Sequence, residues 1–209
     1  KKLFPKTFSK RRIKMKNTFG QSVCATIFGE SHGEAVGVVL DGLAPGIEVS
    51  EENIKRMLSR RRPSSAADTP RRENDNFRIV SGVFNNKTTG SPVCIIIPNE
   101  STQSKDYQYG LARPSHADYS AFCKYHGYED YRGGGHFSGR ITAALVAAGG
   151  IVLPALEELG IKIDLSKNDF RGQDRDITAD GAKIKTLVLT TNEELEIARD
   201  TYRIVSEQK

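Results

Sequence analysis

Residues 22–42 read Ser-Val-Cys-Ala-Thr-Ile-Phe-Gly-Glu-Ser-His-Gly-Glu-Ala-Val-Gly-Val-Val-Leu-Asp-Gly. Ser22–Phe28 and Val36–Leu40 are strand-like runs of β-branched and apolar side chains, and Asp41-Gly42 closes the second as a turn. Nothing of helical period separates the two runs. Strands this short and close-coupled argue against a doubly wound parallel sheet, in which strands alternate with regular helices.

The flanking sequence continues in short elements. Ser50, followed by Glu51, Glu52 and Asn53, caps a helix that runs to about Ser59. Arg60–Asn76 is polar and proline-bearing, and is expected to be a loop. Phe77–Val83 and Ser91–Ile97 are expected strands joined by a glycine-bearing turn, and Asn99–Ser115 is a long loop. Ala117–Tyr125 can form a helix before Gly133-Gly134-Gly135 breaks the chain. Ser138–Leu159, rich in alanine, is expected to be a long helix stopped by Gly160. Leu145, Val146, Gly149, Val152, Leu153 and Leu156 would line its apolar face. Residues 164–186 show no clear pattern, Leu187–Leu189 is a short strand, and Glu193–Val205 has helical period.

A chain of 209 residues can bury a core without cross-links, and 27% charged residues is not a disordered composition. Cys24, Cys94 and Cys123 are odd in number and scattered. That argues against a disulfide framework or a metal site and for a reducing, cytoplasmic compartment. No apolar run is read as membrane-spanning. The net charge of +5 is uneven: residues 1–16 hold eight Lys or Arg and no acid, and beyond them 23 basic side chains face 26 acids. The chain as a whole is therefore not a nucleic-acid binder by charge. Residues 1–16 form a basic extension, with Met15 ahead of Lys16-Asn17-Thr18-Phe19-Gly20 as a natural start; a nucleic-acid arm or a targeting peptide is the other reading of it.

Four loop segments hold the chemistry-bearing residues. Gly29-Glu30-Ser31-His32-Gly33 follows a strand, and its glycines would project His32 toward a ligand, or simply make a tight turn. Arg60-Arg61-Arg62-Pro63, with Arg71-Arg72-Glu73 downstream, suits an anionic substrate; cations at a helix C-terminus would give the same sequence. Arg113-Pro114-Ser115-His116-Ala117-Asp118 gathers an Arg, a His and an Asp around a proline. A histidine beside a phosphate is favoured as imidazolium, although Ser115 could equally serve as a helix cap. Arg132-Gly133-Gly134-Gly135-His136-Phe137-Ser138-Gly139-Arg140 runs into the long helix, and glycines ahead of a helix N-terminus can bind a phosphate or a flavin edge, or form a linker. It matches neither the Walker pattern nor the dinucleotide fingerprint.

Together the segments NTFG, GESHG, DGLAPGI, RRRP, SGVFNNKTTGSP, SKDY, RPSHADY and RGGGHFSGRIT resemble the chorismate synthase family, in that family's order, from Asn17 to about Ile163. The resemblance implies a β-α-β sandwich, incomplete here: an α/β fold of the α+β type, with mostly antiparallel sheet flanking a long helix from about Ser138. Residues 17–209 would then be the N-terminal part of a single domain. The implied reaction converts 5-enolpyruvylshikimate 3-phosphate to chorismate and phosphate by a 1,4-elimination, with reduced FMN as cofactor, NADPH as a reductant of the flavin, and no net redox change. The implied partners are the small anionic substrate and, at full length, a homotetramer; no membrane or nucleic acid is implied. By motif, His32 and His116 are the catalytic histidines, and Arg61, Arg71, Arg113 and Arg132 bind the substrate. His136, Phe137 and Ser138 hold the flavin, Arg61 is also a cofactor-binding residue through the dinucleotide, and no metal is involved. Five of these groups, His32, His116, Arg61, Arg113 and Arg132, are expected to converge on one cleft.

Three departures stand against the family pattern. Ser64-Ser65-Ala66-Ala67 lacks a second basic residue after RRRP, unless Arg71 substitutes. Ser115 stands where many members have glycine. The family's C-terminal half, with further flavin-binding and proton-removing groups, is not found after residue 209. Two other function classes therefore stay open: a partial-length flavin binder without turnover, and a basic-tailed nucleic-acid interaction protein.

Overall fold

The computed structural model describes residues 16–63, 73–169 and 173–207. Two compact units divide at Leu153/Pro154. The first is built on a five-stranded sheet whose spatial order is β1 (Thr18–Gly20), β2 (Cys24–Gly29), β3 (Ala35–Asp41), β7 (Val93–Pro98) and β4 (Arg78–Ser81). Every neighbouring pair is antiparallel.

Period-two alternation explains the register. In β2, Ala25 and Ile27 are buried; in β3, Val36, Val38 and Leu40; in β7, Val93, Ile95 and Ile97. These residues lie opposite one another, with Ile27 on Val38, Val38 on Ile95 and Leu40 on Val93, so one face of the sheet is a continuous apolar row. A one-residue slip would turn the whole row to the other side. Each large side chain so buried contributes about 1.5–3 kcal/mol.

Two helices complete that core. Helix α1 (Glu51–Arg60) is capped by Ser50, whose hydroxyl accepts from the Asn53 N–H at 3.1 Å, and it buries Ile54 and Leu58. Helix α3 (Thr142–Glu158) buries Ala143, Ala144, Ala147, Ala148, Gly150 and Ile151. The face facing the core is thus the alanine and glycine face. Of the residues expected to line its apolar face, Leu145 and Leu153 are exposed, while Val146 and Val152 pack partly against the core. Small residues let α3 approach α1 closely: the Asn53 amide donates to Gly150 O at 2.7 Å. The segment Gly139–Glu158 is long and apolar enough, by length and composition, to cross a membrane, contrary to the sequence reading; here it serves as a core helix whose small residues pack with those of the sheet.

The remaining differences are local. Strand β1 was not expected, and the expected hairpin between residues 77 and 97 contains an extra ribbon, β5 (Val83–Phe84) with β6 (Lys87–Thr88). Its turn residues Asn85 and Asn86 both have positive φ, as a tight two-residue hairpin turn requires. Buried Thr88 donates to Ala44 O and accepts from the Ile47 N–H, tying the ribbon to the loop before α1. Helix α2 spans Asp118–Tyr125, and a short 3₁₀ turn, Gly139–Ile141, precedes α3. Helices α1 and α3 flank the sheet on its apolar side; a second sheet completing a sandwich is not present among the described residues.

The second unit, residues 154–209, contains the ribbon β8 (Arg175–Asp176) with β9 (Leu187–Val188), and α4 (Glu193–Ser206), capped by Asn192. None of the residues of α4 is buried, and Leu195, Tyr202 and Val205 are exposed on its apolar side.

The close helix approach generates a prediction. A Cβ on Gly150 would lie 2.9 Å from the Ile54 Cα. Alanine gains about 1 kcal/mol over glycine in helix propensity, but forcing apart two packed backbones costs about 1–3 kcal/mol. Gly150→Ala is therefore expected to lower the thermal midpoint rather than raise it, as calorimetry would show.

Candidate active site

Register places the candidate site at one end of the sheet. Gly29 pairs with Val36 and Ala35 with Pro98, so the turn at residues 30–34 and the chain leaving β7 emerge side by side. His32 sits on that turn and is 8% exposed. Its ring meets the Tyr107 ring edge-on at 5.0 Å between centroids. The glycine run closes over it. Gly133, Gly134 and Gly135 all have positive φ, and a Cβ on Gly133 would fall 2.8 Å from His32 Nε2 and 2.9 Å from Ser31 Oγ. Only glycine allows the backbone this near the histidine. The two loops are also bonded: the Ser31 N–H donates to Gly135 O at 3.0 Å, and His136 Nδ1 donates to Gly29 O at 2.7 Å.

A cavity of about 740 Å³ opens beside this contact, within the usual size of a small-ligand site. His32, Tyr107, Arg113, His116, Phe137 and Ser138 line it, with Gly133, Gly134 and Gly139. His116 is exposed, and its Nδ1 donates to Pro114 O at 2.8 Å, because a carbonyl can only accept. That leaves Nε2 as the ring nitrogen for a ligand. Ser115 takes φ +60°, a backbone region that favours glycine.

The expected convergence of five groups holds for three. His32, His116 and Arg113 share the cavity; Arg61 and Arg132 do not line it. Arg61 lies with Arg62, Ser138, Gly139 and Arg140 on a second cavity of about 410 Å³. Arg132 is turned to Asp130, with Nε and Nη2 donating at 2.8 and 2.7 Å. His136 lines a third cavity, bordered by Tyr125 and Phe137, rather than the one shared by His32 and His116. Arg71, and the segment Ser64–Ala67 where a basic residue was sought, lie outside the described residues.

The cations are also not bare. Arg113 grips Asp118 with its backbone N–H, Nε and Nη2 at 2.8–2.9 Å, and lies 5.0 Å from the Tyr107 ring centre. Arg61 donates to Asp75 at 2.6 Å, and Arg140 donates to the other oxygen of the same carboxylate. These partners shift the acids. The Arg113 guanidinium holds the Asp118 carboxyl below the usual carboxylate range, against a smaller desolvation effect, and Arg132 does the same to Asp130.

Sequence reasoning missed Tyr107, Asp75, Asn99 and Arg140. Tyr107 lies in the SKDY segment and Arg140 in the glycine-rich one, but neither Asp75 nor Asn99 has a distinctive neighbourhood. Asn99 donates to Glu30 O at 2.9 Å and Gly33 O at 2.8 Å, and accepts from Arg140 Nε at 2.8 Å.

A family model described as chorismate synthase matches residues 23–203, past the Ile163 limit of the sequence reading. The chorismate synthase of Thermococcus kodakarensis is 51% identical over 146 residues, which are 69% of this chain and 41% of that protein. That of Dehalococcoides mccartyi is 45% identical over 152 residues, 71% of this chain and 42% of the relative. A crystal structure of a chorismate synthase aligns at 32% identity with a TM-score of 0.49, covering 69% of this chain and 36% of the other. The chain spans less than half the length of these curated relatives.

The Arg113–Asp118 pair sets a pH dependence. A carboxyl whose folded pKa is depressed adds stability that is present above its unfolded value, about 3.9, and is lost as pH falls through the folded one. Asp118→Asn is expected to lower the thermal midpoint near neutral pH, and its gap from the parent should close below about pH 4. A gap constant across that range would show that the pair adds no such stability.

Proposed function

The chain belongs to the chorismate synthase family, and we propose that its first unit forms one wall of a site for that family's elimination of phosphate from 5-enolpyruvylshikimate 3-phosphate. The observation that supports this is the shared cavity: His32, Arg113 with His116, and Ser138, from three separate segments of the chain, line the same space.

Reduced FMN, which the family implies, needs an aromatic or apolar surface and close backbone for its polar parts. Tyr107 and Phe137 provide the first; Gly133, Gly134 and Gly139 provide the second, and a Cβ on Gly139 would meet no atom within 4 Å. These residues fit part of a flavin, and Phe137 and Ser138 would hold it. When bound, the flavin supplies an electron transiently and takes it back, with no net redox change.

The chain's own residues position and polarise. As imidazolium, the form a neighbouring phosphate favours, His116 donates through Nδ1 to Pro114 O and presents its second proton at Nε2 to the leaving phosphate. His32, packed under Gly133 and against Tyr107, holds a fixed orientation from which to donate a proton or stabilise charge. Arg113 sits at the same cavity with two guanidinium nitrogens on Asp118, so an anionic ligand adds to an existing ion pair rather than meeting a free cation. Arg61 and Arg140 serve the neighbouring cavity, with Ser138 and Gly139 on the rim common to both. The cytoplasmic location, tetrameric assembly and NADPH use of the family belong to the same proposal.

Two measurements test it. The 209-residue chain is expected to bind reduced FMN weakly in a fluorescence titration and to release no phosphate from the substrate. Robust release would show that the rest of the relatives' length is dispensable. In a chain extended to that length, His116→Ala is expected to slow phosphate release by about 10²–10⁴-fold. An unchanged rate would remove His116 from the reaction.

A further inference from the structure

We propose that Asn99 is a positioning residue for His32, acting through the backbone of the turn that presents it. Its Nδ2 donates to Glu30 O at 2.9 Å and to Gly33 O at 2.8 Å, the carbonyls on either side of Ser31-His32. Its own backbone N–H donates to Glu34 O at 3.0 Å, continuing the ladder between β3 and β7. One side chain thus grips both ends of the tip that bears the histidine.

The direction of the amide is fixed by chemistry. Asn99 Oδ1 accepts from Arg140 Nε at 2.8 Å, and a guanidinium has no acceptor. The flipped amide would set its NH₂ against that donor and its oxygen against two carbonyls. Arg140 is itself 5% exposed and held by Asp75 and by Pro98 O. The orientation therefore runs from Asp75 through Arg140 and Asn99 to the His32 turn, while Tyr107 and Gly133 confine the ring from the cavity side.

The inference rests on the proposed function only in taking His32 as the reacting histidine. Asn99→Asp separates positioning from folding. The acid still accepts from Arg140, so the buried guanidinium stays matched, but both donors to the turn become acceptors facing carbonyls. Asn99→Ser, which removes the reach to the turn altogether, is the second variant.

The experiment follows the imidazole signals of the 209-residue chain, labelled with ¹⁵N-histidine, across a pH titration. His32→Gln assigns the His32 signals, and His116 and His126 serve as internal references. In both variants the His32 signals and titration midpoint are expected to move, those of His116 and His126 to stay, and the thermal midpoint to fall by about 10 °C or less. His32 signals that coincide with the parent's in both variants would overturn the proposal. So would failure of both variants to fold, because Asn99 would then serve folding alone. A chain that neither binds flavin nor releases phosphate can still show the His32 shift, so the two readings fail separately.

Discussion

The buried guanidinium of Arg140 is the constraint on which the site end of the molecule depends. It reaches Asp75, Pro98 O and Asn99 Oδ1 at once, and so joins the 3₁₀ turn ahead of α3, the segment before β4, and the end of β7. A charge with 3% of its side chain exposed is tolerable only when paired and hydrogen-bonded. Removing one partner from such a pair costs about 3–5 kcal/mol, since the other is left buried and uncompensated. Asp75 answers it with a carboxylate that also accepts from Arg61, and it does so from a left-handed backbone conformation that aspartate tolerates better than most residues. The ion pair therefore specifies geometry, whatever its net worth in stability.

The same logic shapes the electrostatics of the cavities. Arg61, Arg113, Arg132 and Arg140 are each matched to an aspartate, with Asp75 shared by two of them. A set of bare arginines facing one cleft would repel strongly before any ligand arrived. Pairing each with a carboxylate avoids that repulsion and holds the guanidinium in a fixed plane. An anion entering the site meets oriented donors whose charge is already partly balanced. Its binding then depends more on geometry than on raw positive potential.

Much of the first unit was legible because its signals are local. The antiparallel pairing of residues 22–42 follows from strand spacing, α1 from Ser50 and its acidic first turn, and the break at Gly133–Gly135 from composition. The features that were not legible were those decided by tertiary packing. The inward face of α3 is the alanine face because the approach to α1 admits nothing larger at Gly150, which no helical period reveals. His32 stood out by its flanking glycines, and His116 by the arginine, proline and aspartate around it. Asp75 and Asn99 did not, because a single polar residue in a polar loop gains meaning only from the buried arginine it meets, 65 and 41 positions away. The commitment of Arg132 to Asp130, two residues back, was present in the sequence but looked like a free cation.

The strand order has a consequence for how the site comes into being. β1, β2 and β3 are neighbours in sequence as well as in space, so their meander closes short loops at little entropic cost. β7 must then return across α1, β4 and the β5–β6 ribbon to pair with β3, and Arg140 arrives later still along the chain. On a chain emerging from the ribosome, the turn bearing His32 is thus made long before Asn99, Tyr107 or Gly133 exist to hold it. The histidine spends that interval on a hairpin tip that none of these three residues yet holds, and its final placement waits on the chain as far as Arg140.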